Sequence, residues 1–108
     1  MKILCLTGTN PYSFERLISY VDQKIAPKYE TVIQLGKTNY KTMNATSFDF
    51  CEHKELKRLM INSDIIITQG GYGAICESLE LNKKVIAVPR LIYLNESKDD
   101  QIEIVEYY

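Results

Sequence analysis

Five short apolar runs, spaced along the chain and separated by segments of helical periodicity, restrict this sequence more than any other feature. The runs occupy residues 3–7 (ILCLT), 31–35 (TVIQL), 47–50 (SFDF), 64–68 (DIIIT) and 84–88 (KVIAV). The first is almost continuously apolar, as a strand covered on both faces is, and the fourth is the most β-branched. Between the first two, Phe14, Leu17, Ile18, Val21 and Ile25 recur at helical spacing and predict a helix over residues 11–26. Asn10-Pro11 reads as its N-cap and first helical position. Leu56, Leu59 and Met60 predict a second helix over residues 54–61. Ile75, Cys76 and Leu79 are the inward positions of a third, ending near Leu81 with Asn82 as its C-terminal cap. A last helix is predicted from about Lys98 onward. Residues 37–46, KTNYKTMNAT, carry no periodicity and read as a loop. Strand and helix in alternation, with short connections, predict an α/β domain. Right-handed crossovers reduce the choices to a Rossmann-like, parallel five-stranded sheet in order 3-2-1-4-5 with helices on both faces. Residues 1–108 are one domain in this reading.

Composition narrows the class of function. Forty-five per cent hydrophobic residues in a 108-residue chain can build a core without disulfide or metal support. Thirteen Lys and Arg against fourteen Asp and Glu leave no basic stripe for nucleic acid. No apolar run approaches the roughly 20 residues that cross a bilayer, and the five-residue apolar stretch at the N-terminus is too short for a secretory signal. Cys5, Cys51 and Cys76 are odd in number and form no CxxC pair, and His53 is the sole histidine, so no metal site is expected. The cysteines read as small buried hydrophobes in a reducing, cytoplasmic compartment.

In a sheet of this order, ligands bind beyond the carboxyl ends of the strands, where the order reverses. Three segments fall there: residues 7–10, 69–73 and 89–101. Gly70-Gly71-Tyr72-Gly73 lies between an apolar strand and a helix, where glycines admit a close ligand and the helix-start amides favour phosphate. Glu77 lies four residues past Gly73, on the same helix face. A carboxylate one turn in repels phosphate but accepts hydrogen bonds from two neighbouring hydroxyls, as a ribose diol offers. A nucleoside diphosphate fits that pair of features, whereas a tight turn with a solvent-facing Glu77 is the plainer reading. A dinucleotide fingerprint would need glycine where Cys76 stands, and no GK[ST] is present for a P-loop. Thr7-Gly8-Thr9-Asn10 is a second small polar loop that reads equally as donors near the ligand or as a capped turn. Arg90, just past the fifth strand, reads equally as a diphosphate contact or a surface charge. Gln101 offers a donor and an acceptor to sugar hydroxyls, while Asp99 and Asp100 read as helix caps. His53, at the start of the second helix, is expected to be a surface residue away from this crevice.

The run ITQGGYGAICESLELNKKVIAVPR, followed by DDQIEIVE, resembles the C-terminal, donor-binding half of MurG-type glycosyltransferases. It is most similar to the small PssE/EpsF-like subunits of two-component enzymes and to the eukaryotic subunit of the dolichol-linked N-acetylglucosamine transferase. The opening LTGTNPYSFERLISYV resembles the start of the same proteins. The resemblance implies a GT-B half-domain that binds a UDP-sugar and passes the sugar to a lipid-linked or polysaccharide acceptor. It implies that Gly71, Gly73 and neighbouring amides hold the diphosphate, that Glu77 binds the ribose and Gln101 the donor sugar, and that Gly8 and Thr9 lie near the reacting end. Gln69, Gly70, Tyr72 and Arg90 complete the expected donor site. Gln69 and Asp100 stand where these proteins usually carry histidine, which implies a different sugar preference or a weakened activity.

Such a half-domain lacks a catalytic base of its own, so the base is expected from a membrane-associated, acceptor-binding partner subunit. No cofactor or metal is expected, since the UDP-sugar is itself the donor substrate. A non-catalytic nucleotide-sugar-binding or protein-interaction module with the same fold is the alternative. The chain stops early for these relatives, which leads to an expected uncovered apolar surface near Ile102, Val105, Tyr107 and Tyr108, where the partner or a second copy would dock.

Overall fold

The computed structural model describes residues 1–7, 13–69 and 72–88, with the backbone alone for 72–74. Five strands appear: β1 Lys2–Leu6, β2 Glu30–Gln34, β3 Thr46–Phe48, β4 Ile65–Gln69 and β5 Lys84–Val88. Every pairing is parallel, and the order is β3-β2-β1-β4-β5, as the alternation predicts. Three α-helices accompany them: α1 Glu15–Tyr20, α2 His53–Ile61 and α3 Tyr72–Glu80. This is a Rossmann-like α/β fold.

The central strand β1 shows why the apolar runs do not alternate. Successive side chains point to opposite faces of a strand. Ile3 and Cys5 therefore join Leu17, Ile18 and Val21 beneath α1, while Leu4 and Leu6 join Met60 and Ile66 beneath α2. Both faces are dry, so both sets must be apolar. Cys5 is fully buried in the first cluster, and burial pushes its thiol up to about 12. The cysteine expectation holds for Cys5 but not for Cys51, which is exposed at the start of α2, nor fully for Cys76, which is half-buried.

The first helix departs from its expected bounds. Its α-helical part begins at Glu15, with Phe14 as N-cap. The Phe14 N–H donates to Thr38 Oγ1 at 2.8 Å, which ties the start of the helix to the loop after β2. Asn10 and Pro11 lie outside the described residues. After Tyr20 the helix widens into a π-helical turn, Val21–Ile25, with the Ala26 N–H donating to the Val21 carbonyl at 2.8 Å. An α-helix would use the Asp22 carbonyl there, but Asn44 Nδ2 donates to it instead at 3.0 Å. The side-chain donor thus accounts for the slip of one residue.

Asp22 also organises residues 37–46. Its carboxylate is buried and accepts the backbone N–H groups of Met43, Asn44 and Ala45 at 2.9, 2.9 and 3.0 Å. Tyr40 Oη donates to it at 3.1 Å. Burial alone would raise the Asp22 pKa, but these four hydrogen bonds outweigh it and hold the carboxyl below its ordinary range.

Helix α3 ends as its sequence predicts. Asn82 has φ 58°, the left-handed conformation of a C-terminal cap. The Lys83 N–H reaches the Ser78 carbonyl at 3.1 Å and the Asn82 N–H reaches that of Leu79 at 3.0 Å, the two bonds of a Schellman closure. Asn82→Gly should hold or slightly raise stability, whereas Asn82→Ala should lower it by about 1 kcal/mol. Urea denaturation of the two variants measures the difference. Ile75 is fully buried, but Leu79, expected inward, is 45% exposed. Helix α3 lies over β4 and β5, and β5 is the last strand on that side of the sheet among the described residues.

Candidate functional site

The reversal of strand order falls between β1 and β4, with Leu6 opposite Thr68 in the register. Their crossovers leave in opposite directions, one toward β2 and the other toward β5, which opens a crevice at the carboxyl ends. Thr7, just past β1, is buried, and its hydroxyl donates to the Gln34 carbonyl at 3.0 Å, tying the ends of β1 and β2 together. Gln69 ends β4 half-buried and pairs in register with Val88.

Thr68 introduces a feature that sequence reasoning missed. It is fully buried, and its Oγ1 is the sole buried side-chain polar atom without a hydrogen-bond partner among the described residues. An unmet buried hydroxyl costs about 1–3 kcal/mol. By strand alternation it shares the sheet face of Ile66, the face beneath α2 and α3.

Helix α3 begins at Tyr72, three residues beyond the end of β4, with Gly73 in its first turn. The first amides of a helix have no partner within it and carry its positive end. Glu77 follows one turn past Gly73. Its side chain is 25% exposed, so it is partly covered and partly open to solvent. The carboxylate turns toward the start of α2, where His53 Nε2 lies 3.0 Å from Oε1 and 3.3 Å from Oε2. His53, Lys57, Cys76, Glu77, Glu80 and Leu81 line an open groove of about 400 Å³ between the two helices.

The expectation for His53 is therefore corrected. Its side chain is exposed, at 73%, but it stands beside the crevice and not away from it. A crossover helix in a parallel sheet runs back against the strands, so α2 starts at the carboxyl edge, as α3 does. The order of elements contains that signal, and sequence reasoning did not use it.

Of the expected site residues, Gln69 ends β4, Gly73 lies in the first turn of α3, and Glu77 meets His53. Gly8, Thr9, Gly70, Gly71, Arg90 and Gln101 lie outside the described residues, as do Asp99, Asp100 and the apolar surface expected near Ile102, Val105, Tyr107 and Tyr108. Chemically, Glu77 offers a hydrogen-bonded carboxylate with lone pairs to spare, about one turn from the start of α3. No three His, Cys, Asp or Glu among the described residues are grouped to hold a metal ion. No described helix is long and apolar enough to cross a membrane.

Comparison with known proteins agrees with this architecture. The model of the glycosyltransferase family 28 C-terminal domain matches residues 2–106. No curated protein matches the chain, and no solved structure does.

Proposed function

Because the chain belongs to the glycosyltransferase family 28 C-terminal domain family, a nucleotide-sugar-binding module of glycosyltransferases, we propose that it is the donor-binding subunit of a bipartite, UDP-sugar-dependent transferase. The observation that carries this reading is the placement of Glu77. It stands one turn inside the helix that opens at the switch point, with its carboxylate partly covered and turned toward His53 in the open groove between α2 and α3. Phosphate at the helix start and a ribose diol one turn in would satisfy both ends of that arrangement. The uridine base is suggested by the resemblance to MurG-type and PssE/EpsF-like proteins, since Glu77 would serve the diol of any ribonucleotide.

In the reaction, the bond between the anomeric carbon and the diphosphate oxygen breaks. A new bond forms to the acceptor hydroxyl, whose proton passes to a base. The amides at the start of α3, with Gly70, Gly71, Gly73 and Arg90, stabilise the charge on the departing UDP. In this scheme Glu77 holds the ribose, and Gly8, Thr9, Gln69, Tyr72 and Gln101 are assigned to the donor sugar and diphosphate. The base and the acceptor, a lipid-linked sugar or a growing polysaccharide, belong to a membrane-associated partner subunit at the cytoplasmic face. Metal is not required for this scheme, because the helix end and Arg90 supply the positive charge.

Reconstitution tests the bipartite role. Co-expression with the product of an adjacent reading frame that encodes a membrane-anchored half-transferase should release UDP only when both chains and a UDP-sugar are present. A partner that turns over equally well alone would favour the alternative, a non-catalytic module, for which Gln69 in place of the usual histidine is the supporting feature.

A further inference from the structure

We propose that His53 is a positioning residue for the donor site, holding the Glu77 carboxylate in the orientation that receives the ribose diol. This rests on the donor-site reading above and adds a residue that neither the glycine–glutamate motif nor the match to the family identifies.

The geometry carries the inference. The ring Nε2 faces both oxygens of Glu77, at 3.0 and 3.3 Å. One donor shared between the two oxygens fixes the plane of the carboxyl group and leaves their outer lone pairs available. Two neighbouring hydroxyls need that pair of oxygens held side by side. Without a fixed partner, a glutamate on a helix surface samples several rotamers, and binding would have to select one of them.

The surroundings show why the partner matters. Lys57 lies one turn along α2 from His53 and lines the same groove, as Glu80 does on α3. A carboxylate released by His53 shares the groove with the Lys57 ammonium, an alternative partner that would draw it out of that orientation. The contact is not needed for folding, because His53 is 73% exposed and its ring is otherwise in solvent. Its removal should therefore change binding and leave stability nearly unaltered.

The test uses amide-shift titrations of the full chain with UDP and with 2′,3′-dideoxy-UDP, which lacks the diol. His53→Ala should weaken UDP binding by about 3- to 10-fold, the range of one lost charge-assisted hydrogen bond that acts indirectly. His53→Gln, which places an amide N–H where Nε2 stood, should bind UDP within about twofold of the wild type. Neither variant should alter affinity for the dideoxy ligand, and His53→Ala should have no further effect in a Glu77→Ala background. Unchanged UDP affinity in His53→Ala would overturn the positioning role while leaving the donor-site reading intact. Equal weakening for both ligands would also overturn it, since His53 would then touch base or phosphate directly. A wild-type chain that binds no UDP would remove both readings together.

Discussion

Replacing Glu77 by alanine is expected to weaken UDP binding by about 10- to 100-fold, the equivalent of the 1.5–3 kcal/mol carried by hydrogen bonds to a charged group. The side chain lies one turn inside α3 and is 25% exposed, so its loss leaves no cavity in the core. Alanine is the strongest helix former, and α3 retains its closure at Asn82. His53, left without its partner, is exposed enough to be solvated. The variant should thus unfold at nearly the same urea concentration as the wild type while losing nucleotide affinity by calorimetry. Glu77→Gln should fall between the two, because an amide retains one acceptor oxygen. Equal affinity in Glu77→Ala and the wild type would return Glu77 to the status of a surface residue.

The largest effect on stability is expected at Asp22. Asp22→Ala removes the acceptor of three backbone N–H groups and the Tyr40 hydroxyl, and with it the tie between the π-helical turn and residues 43–45. Those residues are partly exposed, so water can recover some of the lost bonds. A loss of about 2–3 kcal/mol follows, or roughly 10–20 °C in thermal midpoint for a domain of this size. Asp22→Asn should cost a similar amount, since its amide nitrogen meets N–H groups where an acceptor is needed. The pH dependence has a definite sign. Hydrogen bonding holds the folded Asp22 carboxyl below its ordinary range. The stabilisation is therefore complete above the unfolded carboxylate pKa of about 4 and is lost as the pH falls through the folded value. The stability gap between wild type and Asp22→Asn should be widest near neutrality and close in acid, as urea denaturation across that range would show.

Asp22 also marks where sequence reasoning stops. The strands were readable because Ile3 to Leu6 must be apolar on both faces, and a pattern of that kind survives in a single sequence. The Asn82 cap was readable because few residues adopt a positive φ. The role of residues 37–46 was not, since it depends on a carboxylate in one element accepting amides from another, over 20 residues away. The same limit applies to the site. Glycines and Glu77 at helical spacing announced a helix-start site, and the sheet order set its position. The pairing of His53 with Glu77 joins two helices across the sheet face, and the orphaned hydroxyl of Thr68 depends on what packs around it. Neither leaves a spacing to read. Leu79 failed for a related reason, because helical periodicity gives a face but not the width of the sheet beneath it.

The central claim is that the start of α3, with Glu77, receives a nucleoside diphosphate. Titrating the isotope-labelled chain with UDP to millimolar concentration, while following the amides of residues 70–77, tests it most directly. Saturable shifts centred on those amides and on the Glu77 side chain, absent in Glu77→Ala at the same concentration, are the predicted result. Amides of residues 70–77 that stay unmoved at millimolar UDP would contradict it.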